Sequence, residues 1–236
     1  MRKIYDMYYN GKAGSMYGAY LEERPAPPAP TRRYETVTVP GRDGDLYIDD
    51  GSYDDITISV TLNFMSDHAS DWGWKYRNVK SWILGDGDKK LMFQDDQSVY
   101  YKVKMATIKG TERDARIFGG IDVDFVCAPY TYLVSGDIAI ESGSITNPTL
   151  VVSHPVYEIE GEGMCTLTVN GKTMTANVGQ NITIDTDRQV AYKDDGTSQN
   201  AALTGDYEDM YLQVGSNTVS ATDGFTVSIY PSWRTL

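Results

Sequence analysis

The sequence predicts a mainly β protein with one α-helix, arranged as two domains. The clearest strand runs from Ile56 to Phe64, where apolar and polar residues alternate without interruption. The clearest helix covers residues 71–84, where apolar residues recur at helical spacing. Residues 136–236 hold short strand-like runs separated by turn signals and no helical stripe, which predicts a β-sandwich. We therefore expect domains at residues 1–135 and 136–236.

The chain begins with a predicted hairpin and a proline-rich arm. Asn10-Gly11 is a favoured two-residue turn, and aromatic or apolar residues flank it. These flanking residues are Ile4, Tyr5, Tyr8, Tyr9, Met16, Tyr17 and Tyr20. Residues 22–33 then contain four of the nine prolines, so this arm is extended and cannot join a central strand. The arm either lies across a neighbouring subunit or crosses its own surface.

Residues 34–64 are interpreted as a strand, an ordered loop and the alternating strand. Pro40-Gly41 and Asp43-Gly44 place two sharp turns in the loop, because Gly accepts positive φ and Pro presets its own φ.

The predicted helix has an apolar stripe and two tryptophans that lie off it. The stripe consists of Trp72, Tyr76, Val79 and Ile83. Ser70 or Asp71 is expected to cap the start, and Gly85 to take the left-handed conformation after the end. Trp74 and Trp82 are expected to be covered either by a loop of the same subunit or by another subunit.

Strands and turns follow the helix. Residues 91–105 are expected to form a hairpin, and residues 117–126 a closing strand that ends before Pro129. Asn170-Gly171 predicts another hairpin turn, between Cys165–Val169 and residues 172–176. Further strands are expected at residues 156–160, 181–185, 189–192, 210–214 and 224–230.

The net charge of −12 excludes several classes of partner. Residues 1–135 carry 17 Lys and Arg against 20 Asp and Glu, and residues 136–236 carry 4 against 13. Direct binding to nucleic acid or to an anionic membrane depends on Lys and Arg, so neither is expected. No apolar run is long enough for a membrane helix, and the charges in residues 1–10 do not fit a signal peptide. We expect the chain to be made and folded in a cytoplasm.

No metal or cofactor site is expected. Cys127 and Cys165 fall in different domains and are interpreted as small buried hydrophobic residues rather than a disulfide. His68 and His154 have no Cys or His at ligand spacing.

No catalytic site is expected either. The nucleophile elbow, the phosphate-binding loop, the zinc-protease motif and the dinucleotide fingerprint are missing from the sequence. Glu158, Glu160 and Glu162 alternate along one predicted strand, which is more typical of a solvated face than of a glycosidase pair.

Short motifs in a fixed order carry a family resemblance. In the first domain these are Val39-Pro-Gly-Arg-Asp-Gly44 before an acidic loop, the helix followed by Leu91-Met-Phe93, and Phe125-Val-Cys-Ala-Pro-Tyr130. In the second domain these are Asn147-Pro148, Thr166–Lys172, Ile182–Asp185, Val214–Asn217 and Pro231–Arg234. Their order resembles the distal tail protein (Dit) family of long-tailed, non-contractile bacteriophages. This resemblance implies a ring-forming β-sandwich domain followed by a galectin-like β-sandwich.

The resemblance also implies a function. It predicts a structural virion protein that forms a hexameric ring between the tail tube and the tail-associated hub or fibre protein, with a second domain that carries host-recognition proteins. The residues expected at the subunit interface are Pro25, Pro27, Pro28, Pro40, Gly41, Arg42, Asp43, Gly44, Tyr47, Trp74 and Trp82. The alternative is a carbohydrate-binding protein that recognises host cell-wall glycan. Trp233 and Tyr211 are the expected ligand or partner face of the second domain.

Overall fold

The structure is a computed structural model that describes residues 5–236. Ile4 of the predicted hairpin, and Met1, Arg2 and Lys3 of the charged start, lie outside the described residues. The chain divides into two compact units. The first extends to Thr131 and includes Leu236, and the second is Tyr132–Thr235.

The first unit is built mainly from one strongly curled sheet. In chain order its elements are β1 (Met7–Tyr9), β2 (Lys12–Ala13), β3 (Ala19–Leu21), β4 (Arg32–Val37), β5 (Leu46–Tyr53), β6 (Ile56–Met65), α1 (Trp72–Leu84), β7 (Lys90–Phe93), β8 (Asp96–Glu112) and β9 (Phe118–Leu133). The sheet has the order β2-β1-β7-β8-β9-β6-β3. Leu21 of β3 donates its N–H to the carbonyl of Tyr5, next to β1, at 3.0 Å. The sheet therefore closes on itself between β3 and the residues just before β1. The prediction of a mainly β protein with one α-helix is confirmed.

The alternating segment is the best-paired strand of this unit. β6 pairs with β9 without a break from Ile56 opposite Cys127 to Met65 opposite Phe118. The apolar side chains of β6 that alternate along the strand are buried, as predicted. On the opposite face Ser59 donates to Asp124, and Thr61 to Asp122, both at 2.7 Å. One face of the pair forms core and the other a polar surface.

The helix α1 packs its predicted stripe on this core, and Trp82 joins it. Val79 and Ile83 are fully buried, and Trp72 and Tyr76 pack partly buried against the same core. Trp82 is only 4% exposed, and its indole N–H donates to the carbonyl of Tyr9 at 2.8 Å. The expectation that Trp82 faces another subunit is therefore wrong, because this side chain is enclosed by its own unit.

The ends of α1 differ from the predicted caps. Neither Ser70 nor Asp71 caps the start, since the residue before the helix makes no side-chain capping bond. Gly85 is extended, with φ −75° and ψ 164°, and is not left-handed. Instead, the side-chain amide of Asn10 donates to the carbonyls of Trp82 and Gly85, at 3.2 and 3.0 Å. The predicted β1–β2 turn thus satisfies carbonyls that the helix end leaves open.

The second unit is dominated by one long hairpin. In chain order its strands are β10 (Ile140–Glu141), β11 (Gly143–Asn147), β12 (Val156–Val169), β13 (Lys172–Asp185), β14 (Val190–Tyr192), β15 (Leu203–Thr204), β16 (Gly215–Ala221), β17 (Thr226–Tyr230) and β18 (Arg234–Thr235). Strands predicted separately on either side of residues 161–164 and 177–180 are continuous in β12 and β13. The predicted strand at 210–214 is wrong, because Tyr207–Met210 is a 3-10 turn and the strand begins at Gly215.

Two glycines separate the parts of β12 that pair with different strands. Its first part pairs with β17 and its last part with β16. Gly161 and Gly163 lie between these parts with φ of 150° and 101°, which only glycine adopts readily. Phe225 packs directly over Gly161, so that a Cβ there would lie 2.3 Å from its ring. Residues of β12 on both sides of these glycines, such as Ile159 and Leu167, belong to a single buried core.

We predict that Asn10 stabilises the first unit through its amide rather than through its turn conformation. Asn10→Gly keeps the left-handed φ of 51° but leaves two helix carbonyls unsatisfied, so it should lower the free energy of unfolding by about 1–2 kcal/mol. Asn10→Asp should cost at least as much, because it replaces the donor by a carboxylate at a helix C-terminus. Urea unfolding followed by tryptophan fluorescence measures both changes.

Gln189→Gly is the matched control for Asn10, since Gln189 has a φ of 54°. It should leave stability unchanged or raised. Equal behaviour of Asn10→Gly and Gln189→Gly would contradict a capping role for the amide.

Candidate assembly interface

A hairpin that packs on neither core is the most unusual feature of the first unit. β4 and β5 pair only with each other, as a separate two-stranded sheet. Nearly every residue of the two strands is exposed. The sequence predicted an ordered loop over the part that forms β5. The hairpin therefore extends further than predicted, and its turn is shorter.

The turn of the hairpin contains the predicted Pro-Gly-Arg-Asp-Gly segment. Pro40, Gly41, Arg42, Asp43 and Gly44 are all exposed. Gly41 and Gly44 have φ of 80° and 73°, so both turns need glycine as the sequence indicated. The hydroxyl of Thr38 donates to Asp45 at 2.9 Å and ties the two sides of the turn together. The segment is thus a structured and solvent-exposed tip.

The two faces of the hairpin differ in chemistry. Val37 lies opposite Leu46, and Ile48 opposite Glu35, which places the three apolar side chains on what we call the aliphatic face. Tyr34 and Tyr47 lie on the other face, with ring centroids 6.1 Å apart in an edge-to-face contact. Tyr47 is 65% exposed. Both faces present large apolar side chains to solvent.

Ion pairs hold the base of the hairpin. Arg32 pairs with Asp49 across the strands, and Arg33 with Asp54 at 2.6 Å. The hydrogen bond from Arg32, with one from the backbone of Gly51, lowers the pKa of the Asp49 carboxyl. These pairs are exposed, so they orient the strands more than they stabilise them.

The remaining interface candidates of the first unit differ in position. Trp74 is 62% exposed on the outer side of α1 and stays a candidate. The proline arm begins on its own unit, because Glu22 donates its N–H to Thr61 at 2.9 Å and Arg24 binds Asp95 at 2.8 Å. Pro25 and Pro27 are half-buried there, and Pro28 is exposed.

The structure separates the two candidates of the second unit. Trp233 is 6% exposed within the core of that unit, so the expectation that it forms a ligand face is wrong. Tyr211 is half-buried and stacks on His154, with centroids 3.9 Å apart. Arg234 donates to His154 Nε2 at 2.7 Å, and His154 Nδ1 lies 2.9 Å from Asp187. Without Trp233, the aromatic platform expected for a sugar site loses its largest ring.

The three glutamates that were considered as catalytic candidates lie on a solvated strand face. Glu158, Glu160 and Glu162 are exposed, and Glu158 accepts a hydrogen bond from Tyr230 at 3.1 Å. Among residues 5–236, no group of three or more His, Cys, Asp or Glu side chains is arranged to hold a metal ion. None of the helices in this part of the chain is long and apolar enough to cross a membrane.

Both cysteines are free and buried, as predicted. Burial raises the pKa of the Cys127 thiol to about 12, and burial also raises the pKa of Cys165. A thiol with such a pKa is almost entirely protonated at neutral pH, and the thiolate is the reactive form.

Comparisons with known proteins connect this architecture to phage tails. Residues 18–127 match the family model described as phage tail protein RIFT-related domain. No curated protein matches the chain. A solved structure of the Dit protein (gp 19.1) of phage SPP1, described as a paradigm of the hub adsorption apparatus in phages that infect Gram-positive bacteria, superposes with a TM-score of 0.69. The alignment covers 99% of this chain and 100% of that chain at 18% identity.

The family match spans a little under half of the chain. Residues 18–127 include the hairpin, α1 and β6, so the uncovered hairpin lies in the segment that is similar to a phage tail protein domain. The likeness over the whole chain shows that the protein has the fold of the SPP1 Dit protein, which belongs to the family that the order of the motifs resembles.

We predict that neither native thiol reacts readily. At pH 8 a thiol of pKa about 12 is thiolate in roughly one molecule in 10,000, so iodoacetamide should label the native chain far more slowly than the urea-unfolded chain. Met16→Cys, at a position that is 73% exposed, is the control and should label at once. Mass spectrometry locates the label, and rapid native labelling of Cys127 would contradict the buried site.

Proposed function

We propose that this chain is a Dit-type structural protein of the virion tail, which forms a closed hexameric ring at the tail tip and joins the tail tube to the host-adsorption apparatus. The observation that carries the proposal is the β4–β5 hairpin, whose two apolar faces are uncovered in the single chain. The role of the SPP1 Dit protein in a hub adsorption apparatus supports the proposal, because the two proteins have the same fold.

A two-stranded hairpin without a core is marginally stable in water. Its exposed Tyr34, Leu46, Tyr47 and Ile48 gain burial only against another surface. A hairpin that docks on the next copy makes a head-to-tail contact, and repetition of such a contact closes a ring when the rotation fits. We assign ring formation to the domain at residues 1–135, with the tip residues 40–44, Tyr47 and Trp74 as contacts.

The partners in this proposal are other tail proteins. The ring would contact the tail-tube protein and the tail-associated hub or fibre protein, and the galectin-like domain at residues 136–236 would bind a host-recognition protein near Tyr211. The net charge of −12 suits a ring through which DNA passes, because like charge disfavours binding to phosphate. We propose no enzymatic activity, since the carboxylates of β12 lie on an exposed strand face rather than in a cleft that could hold a substrate.

We predict that charge on either face of the hairpin weakens association. Tyr47→Asp and Ile48→Asp each put a carboxylate into an apolar contact, which should cost 2 kcal/mol or more, or about 30-fold or more in affinity. Size-exclusion chromatography with light scattering, across a range of concentrations, measures the change.

Met16→Asp is the matched control, since Met16 is an exposed apolar residue outside the hairpin. It should leave the oligomer intact, and all three variants should keep the wild-type unfolding midpoint. A wild-type chain that stays monomeric at every concentration, or hairpin variants that associate like the wild type, would refute the proposed ring.

A further inference from the structure

A groove lies at the base of the hairpin, on the same unit. Its walls are Pro27, Pro28 and Pro30 of the arm on one side and Tyr53, Tyr101 and Pro129 on the other. It encloses about 470 Å³, which is within the size range of cavities that bind drug-sized ligands. Proline has no N–H to satisfy, so the arm gives the groove an apolar wall.

The charged side chains near the groove form ion pairs. Arg33 pairs with Asp54, and Lys104 pairs with Asp55, both at 2.6 Å. An occupant of the groove therefore meets apolar side chains and paired charges, which suits an aliphatic side chain better than a charged one.

The hairpin carries such side chains at its far end. Leu46 and Ile48 belong to the aliphatic face, near the tip, whereas Tyr53 at the other end of β5 lines the groove. Five residues of β4 separate Val37, which pairs with Leu46, from Arg32, which pairs with Tyr53, and this separation is about 16 Å in an extended strand. Because β5 stays paired with β4 on both sides of the register shift between Arg32 and Tyr34, the tip is held away from the groove of its own chain. A contact of tip with groove must therefore join two copies.

We infer that the groove of one copy receives the aliphatic face of the hairpin of a second copy. This inference rests on the proposed ring and names the surface that the hairpin binds. The two surfaces differ, so the contact is head-to-tail and each copy offers one tip and one groove. Such a contact explains in one step why both the hairpin and the groove are apolar and uncovered.

Disulfide trapping tests this pairing. Leu46→Cys places a thiol on the aliphatic face, and Thr131→Cys places one on the wall of the groove. A chain with both substitutions should form a ladder of covalent oligomers on mild oxidation. An equimolar mixture of the two single variants should stop at dimers, because each copy then has half of the pair. The native Cys127 and Cys165 are buried and should contribute no product.

Each other outcome has a defined meaning. Leu46→Cys paired with Met16→Cys is the control and should not cross-link above background. Dimers formed by Leu46→Cys alone would show tips meeting tips and would overturn the head-to-tail contact. Light scattering on the same samples separates the two proposals: an oligomer without the Leu46–Thr131 bond overturns only the groove, whereas a monomer overturns the ring as well.

Discussion

The first unit depends on the unbroken pairing of β6 with β9. This pairing buries alternate side chains of both strands in one core and places the Ser59–Asp124 and Thr61–Asp122 hydrogen bonds on the outer face. β6 begins three residues after the hairpin ends, so the hairpin leaves the unit from a fixed point. A rigid base lets an element with no core of its own present its side chains in a defined direction.

The sequence predicted what short-range patterns determine. The alternation from Ile56 to Phe64 defined β6, because one buried face imposes a period of two. The apolar stripe on α1 was predicted in the same way, because one buried helix face imposes a period of about 3.6 residues. The end of α1 could not be predicted, since the amide of Asn10 that caps it lies 72 and 75 residues away from its two acceptors. Trp82 and Trp233 were wrongly predicted to lie on binding surfaces, because the sequence shows only that these side chains are large. Which neighbours bury them depends on the fold.

The candidate interface was predicted in part. The tip was identified from its glycines and proline, whose backbone needs are local. β5 was missed because Asp49, Asp50 and Gly51 are rare in strands and read as loop. As a result Tyr34, Leu46 and Ile48 were not among the interface candidates drawn from the sequence, although Leu46 and Ile48 alternate with Tyr47 in the pattern of a strand. The groove joins segments distant in sequence and had no local signal.

The acidic residues of β5 bear on how free chains behave before assembly. An exposed strand edge has unpaired N–H and C=O groups to which other strands can add. A hairpin that also exposes apolar side chains can therefore aggregate into fibres at high concentration. Here Asp49 accepts the N–H of Gly51 and Asp50 accepts that of Ser52, at 2.9 and 2.8 Å, so local carboxylates occupy the donors of the part of β5 where its register with β4 shifts. The acidic residues that make β5 resemble a loop in the sequence therefore also limit the addition of further strands. The side-chain faces stay open for the proposed contact with a second copy.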